Sequence, residues 1–137
     1  LHFAAEKGYE AVLQVLLAAG AEKEAADYEQ QTPLHFAAGK GHETVVQVLL
    51  AAGAEKEAAD YEQQTPLHFA AGKGHETVVQ VLLAAGANKE ARDEYQGTPL
   101  HFAAGQGREA VVQLLVAAGA DKEARQAQQC TPLHFAA

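Results

Sequence analysis

No serine, isoleucine, methionine or tryptophan occurs in this chain, and cysteine occurs once, at Cys130. A catalytic serine is thereby excluded. A lone cysteine closes no internal disulfide, so nothing points to an oxidising compartment. No stretch approaches the about 18 consecutive apolar residues of a membrane span. No basic, apolar and small-residue succession resembling a signal peptide stands at the front. The expected location is cytoplasmic or nuclear. Basic excess is missing too: the net charge is −8, spread as −2, −3, −1 and −2 over residues 1–26, 27–59, 60–92 and 93–125. Affinity for nucleic acid rests largely on neutralising phosphates, so neither DNA, RNA nor a membrane is an expected partner.

What is present is one phrase, repeated. Thr-Pro-Leu-His-Phe-Ala-Ala stands at 32–38, 65–71, 98–104 and 131–137, always 33 residues apart, and its last five letters open the chain at 1–5. A fixed period between about 20 and 50 residues marks a stacked-repeat protein. Each unit is too small to bury its own apolar face, so its neighbours must supply the opposite wall of the core. Hydrophobic residues make up 48% of the chain, and much of that is alanine. Alanine forms helices readily and favours their close approach over a bulky core.

Residues 60–92 show the unit. Asp60-Tyr61-Glu62-Gln63-Gln64 is polar and reads as a turn. Thr65 suits an N-cap, its hydroxyl accepting from a free amide of the first turn. Pro66 follows where its missing N–H removes no helical bond. The predicted first helix runs through Leu67, Phe69, Ala70 and Ala71 and is ended by Gly72-Lys73-Gly74. It is too short to survive alone. His75-Glu76-Thr77 starts a second helix, with the acid near its positive end. Val78, Val79, Leu82 and Leu83, with Val81 close by, form an apolar stripe of helical period, and Gln80 lies outside it. Gly86 is expected as a left-handed C-cap.

The succession Asp60, Thr65-Pro66-Leu67-His68-x-Ala70-Ala71, Gly74-His75, Val78-Val79, Leu82-Leu83 and Gly86-Ala87 resembles the ankyrin repeat over the whole chain. The resemblance implies an all-α solenoid of stacked antiparallel helix pairs, with β-hairpin-like loops projecting at right angles. It also implies that the histidine of the Thr-Pro-Leu-His phrase braces neighbouring turns. The chain departs from the family in two places. Gln30, Gln63, Gln96 and Gln129 stand where glycine is expected two residues before the capping threonine. Either those backbones stay left-handed, at about 1–2 kcal/mol each, or the turn has another shape and Gly97 marks a one-place shift. Lys-Glu also replaces the usual Val-Asn, as in Gly53-Ala54-Glu55-Lys56-Glu57.

On this reading the chain is a single domain, with a partial repeat at 1–26, full repeats at 27–59, 60–92 and 93–125, and a partial repeat at 126–137. It begins within a first helix and stops just after one, without the polar capping repeats that usually close natural solenoids. The expectation is a segment of a longer array whose open ends could join end to end. Residues 14–54 recur unchanged as 47–87, which implies recent duplication or design.

Candidate chemistry is thin. His35, His68, His101 and His134 form a row, but stacked helices lie about 8–10 Å apart and a zinc needs ligands at about 2 Å. A shared metal is therefore rejected in favour of bracing. His42 and His75 share a turn position with Tyr9 and Arg108, which suits packing better than proton transfer. Cys130 precedes His134 by four residues, but Gln31, Gln64 and Gly97 occupy the place of the cysteine in other units and no orienting acid is evident. Gly39-Lys40-Gly41 and Gly72-Lys73-Gly74 lack the spacing of a phosphate loop. The Glu-Lys-Glu triplets at 22–24 and 55–57 are read as solvated loops. No catalytic residue, metal or cofactor is expected.

The ankyrin resemblance places partner contacts at the loop tips and the exposed side of the first helices. The tip residues here are Tyr28, Glu29 and Gln31, then Tyr61, Glu62 and Gln64, then Glu94, Tyr95 and Gly97; the helix-side residues are Lys40, Lys73 and Gln106. Exposed tyrosines beside acids suit a basic, partly apolar protein surface. Phe36, Phe69 and Phe102 are assigned to packing. The expected function is a non-catalytic protein-protein interaction module. The alternative is a structural spacer or self-assembling segment within a larger multidomain repeat protein.

Overall fold

The computed structural model describes residues 1–124. These form eight helices in four pairs: α1 (His2–Lys7) with α2 (Glu10–Ala18), α3 (Pro33–Lys40) with α4 (Glu43–Ala51), α5 (Pro66–Lys73) with α6 (Glu76–Ala84), and α7 (Pro99–Gly105) with α8 (Glu109–Ala117). Among the described residues there is no strand. First helices stack on first helices, α1 on α3, α3 on α5 and α5 on α7, while α2, α4, α6 and α8 form the second layer. Thr131–Ala137, Gln129, Cys130 and His134 lie outside the described residues.

Local chemistry sets each boundary. Thr32, Thr65 and Thr98 hold extended backbones as N-caps, with a proline at the first helical position. Gly8, Gly41 and Gly74 are left-handed (φ 74 to 77°) and let the chain double back into the second helix. Gly20, Gly53, Gly86 and Gly119 leave the second helices in the same way. The core is a continuous seam of fully buried leucines, Leu13, Leu34, Leu49, Leu67, Leu82, Leu100 and Leu115, with Val45, Val46, Val78 and Val79. Paired alanines such as Ala70 and Ala71 bring the first helices close. Of the expected stripe, Val78, Val79 and Leu82 are buried, and Val81 and Leu83 half-buried.

Four kinds of polar joint link each unit to the next. The Nδ1 of His35 accepts the Thr32 N–H at 3.0 Å, which leaves the proton on Nε2, and Nε2 donates to the Gln64 carbonyl at 2.9 Å. His68 repeats this with Thr65 (3.1 Å) and Gly97 (2.9 Å). Histidine thus supplies the reciprocal half of a capping box. The threonine hydroxyl half is present at Thr98, which accepts from the His101 N–H at 3.4 Å. A second joint runs backwards: His42 donates to the Glu6 carbonyl at 2.7 Å, His75 to Gly39 at 2.9 Å, and Arg108 to Gly72 at 3.0 Å. A third uses carboxylates. Glu24 accepts from the Glu55 N–H at 2.9 Å, Glu57 from Asn88 at 2.7 Å, and Glu90 from Asp121 at 2.8 Å. Glu24 and Glu57 are therefore brackets between units, a correction to their reading as solvated loop residues. The fourth joins the tips: Tyr61 donates its N–H to the Glu29 carbonyl at 3.1 Å and Glu94 to Glu62 at 2.8 Å. Among the described residues no buried side-chain nitrogen or oxygen lacks a partner.

Candidate interaction surface

Each tip is a small closed turn built on an aspartate. Asp60 Oδ1 accepts the N–H groups of Glu62 and Gln64 at 3.0 and 2.8 Å, and the Asp60 N–H donates to the Gln64 carbonyl at 3.1 Å. Asp27 and Asp93 repeat the pattern with Glu29 and Gln31 and with Tyr95 and Gly97. These loops are hairpin-like in their bonds without forming strands. Gln30, Gln63 and Gln96 are left-handed, with φ of 63, 64 and 66°. Gly97 has no positive φ, so the third tip is not shifted by one place. Each glutamine holds a conformation that disfavours a β-carbon by about 1–2 kcal/mol. Nothing in the structure explains why glutamine stands there.

The tip side chains project outward. Tyr28, Tyr61 and Tyr95 are 83%, 67% and 62% exposed. They do not form one regular row, because Glu94 and Tyr95 exchange order relative to Tyr61 and Glu62, and Tyr95 takes the place of Glu62. Gln31 and Gln64 are half-buried and donate to Glu29 and Glu62 at 3.1 and 2.8 Å. Gly97 is buried beneath its tip rather than displayed on it.

Two grooves bring most of the expected residues together. The first, about 390 Å³, lies between adjacent tips and is lined by Glu29, Gln31, Asp60, Tyr61, Glu62 and Gln64. Like charges crowd it. The Glu62 carboxyl is raised above its ordinary pKa by slight burial, then by Asp60, Glu94, Asp93 and Glu29. The Tyr95 hydroxyl is raised as well, first by its hydrogen bond to Glu94 and then by the charge of that carboxylate.

The second groove, about 300 Å³, lies between α5 and α7 and contains Gln64, Lys73 and Gln106 from the expected set. It also contains Phe69, Phe102 and Arg108, which had been assigned to packing and turn roles. Both assignments hold in part. Phe69 and Phe102 stand edge-on to His35 and His68, with ring centres 5.2 and 4.9 Å apart, and are only half-buried. Their remaining surface forms the apolar floor. Tyr28, Lys40, Glu94 and Tyr95 line neither of these two grooves, although all four are exposed.

Little here suits catalysis. His35 and His68 each use both ring nitrogens, one within the unit and one to the next, and among the described residues no group of three or more His, Cys, Asp or Glu could hold a metal. Among those residues, no helix is long and apolar enough to cross a membrane.

Stacked helix pairs, Thr-Pro caps and histidine joints at a 33-residue spacing define a helical solenoid that presents one face of tips and first helices. The family model for ankyrin repeats (3 copies) matches residues 1–93, and that for ankyrin repeats (many copies) matches residues 100–137. The chain belongs to the ankyrin repeat family. As a family these repeats are protein–protein interaction modules and typically not enzymes. No curated protein matches the chain.

Proposed function

We propose that this array binds a partner protein, without catalysis, through its tips and the first-helix face beside them. The observation that carries this reading is the acidic crowding at the tips. Glu29 and Glu62 approach Asp60 around one groove, and among the described residues their carboxylates hold no ion pair. Self-repulsion at an exposed site brings no gain to the fold, whereas a basic partner relieves it and steers its own approach. Tyr28, Tyr61 and Tyr95 add flat apolar area with a polar end, a composition enriched at interfaces. The partner surface that fits is basic and partly apolar.

The test begins with capture of partners and their identification by mass spectrometry, followed by titration calorimetry with each. Replacing Tyr28, Tyr61 and Tyr95 together by alanine is expected to weaken binding at least about tenfold, as loss of interface aromatics does. Binding of every recovered partner at wild-type strength would instead mark the array as a spacer.

A further inference from the structure

The second groove differs in sign from the tips. Its floor is Phe69 and Phe102, and Lys73 and Arg108 stand at its rim. Arg108 is held rather than loose. Its Nε donates to the Gly72 carbonyl at 3.0 Å, and its stem lies on left-handed Gly74, where an added β-carbon would meet Arg108 Cδ at 2.8 Å. Among the described residues the terminal guanidinium nitrogens of Arg108 make no hydrogen bond, and the Lys73 ammonium makes no ion pair.

The neighbouring joint shows what is special here. At the place of Arg108, the preceding unit has His75, whose Nε2 makes the same bond to Gly39 at 2.9 Å and whose ring lies on Gly41 in the same way. Histidine therefore suffices for the joint. Arginine adds a fixed forked donor beside an aromatic floor, in a chain of net charge −8.

We infer that the groove between α5 and α7 is a subsite for an acidic, apolar segment of a partner chain. An aromatic or branched side chain rests on Phe69 and Phe102, and a neighbouring carboxylate bonds Arg108 and Lys73. The volume admits one such side chain with its carboxylate, and an arginine fork matches a carboxylate in a bidentate manner. This deepens the reading of the face as a recognition surface, but does not depend on the sign of charge at the tips.

The experiment uses the full chain and two synthetic peptides alternating phenylalanine with glutamate or with lysine, titrated by fluorescence anisotropy. The glutamate peptide is expected to bind, more weakly as salt rises. Arg108→His keeps the joint and is expected to weaken that binding about fivefold, and Lys73→Gln about two- to threefold, in line with exposed charge pairs. The reverse variant His75→Arg is expected to create a second site, read as a doubled stoichiometry. Unchanged affinity in Arg108→His, or no added site in His75→Arg, would overturn the inference. Neutralising Glu29 and Glu62 to glutamine separates the two readings, since it is expected to weaken the lysine peptide and leave the glutamate peptide unaffected.

Discussion

The joint and the tip of one unit lie a few residues apart, yet they treat polar groups in opposite ways. At the joint, His68 is fully buried with both ring nitrogens bonded, one to Thr65 within its unit and one to Gly97 in the next. At the tip, Glu62 is largely exposed, and its pKa is raised by slight desolvation and then by four neighbouring acids. The joint satisfies its polar groups by reaching the next copy. The tip leaves charge that no ion pair among the described residues neutralises. In a stacked repeat, then, a polar group satisfied one period away belongs to the fold, and one left crowded at the surface is, on the function proposed above, left for a partner.

The contrast breaks most visibly in the core. Leu67→Ala, at a fully buried joint position, is expected to destabilise by about 2–5 kcal/mol in urea unfolding followed by circular dichroism. His68→Ala strands the Thr65 N–H and the Gly97 carbonyl, and should destabilise by about 2–4 kcal/mol in the same assay. A stability change below about 1 kcal/mol there would remove the histidine joint as a structural element.

The next expectation concerns acid. Burial lowers the pKa of His35 and His68 below the ordinary imidazole value, against the raising influence of their carbonyl bonds and of Asp60 and Asp93. The unfolded chain therefore binds these protons first. Their contribution to stability is complete above the unfolded pKa of about 6.5 and is lost as pH falls from there toward the folded pKa. Stability is expected to fall as pH drops through this range, with a slope of at most about 1.4 kcal/mol per pH unit for each histidine, read from urea midpoints across pH 7 to 5. A flat profile in that window would contradict the neutral Nε2–H form required by the Thr N–H bonds.

The smallest effect sharpens the comparison at the tips. Gln63→Gly relieves a left-handed glutamine and should stabilise by roughly 1 kcal/mol, whereas Tyr61→Ala should leave stability within about 0.5 kcal/mol.

Much of the fold was legible in the residues themselves. Helix ends follow from Thr65-Pro66 and Gly74, and burial follows from the spacing of Val78, Val79 and Leu82, because caps and apolar stripes are local signals. The exposure of the tyrosines was legible for the same reason. The Glu24, Glu57 and Glu90 brackets were not, since each bond spans 31 residues and a glutamate beside a lysine looks the same when solvated. The groove between α5 and α7 was hidden differently. Phe69 and Phe102 carry the spacing of packing residues, and only the stacked backbone shows that one side of each ring stays open. The left-handed glutamines were legible as a question alone, because side-chain chemistry does not decide between a strained turn and a shifted one.

The interchange of imidazole and guanidinium at His42, His75 and Arg108 has a consequence for how such an array changes over generations. Either group closes the same seam, so an exchange between them alters surface potential while leaving assembly intact. Divergence of specificity can then proceed one copy at a time along a path that never passes through an unfolded ancestor.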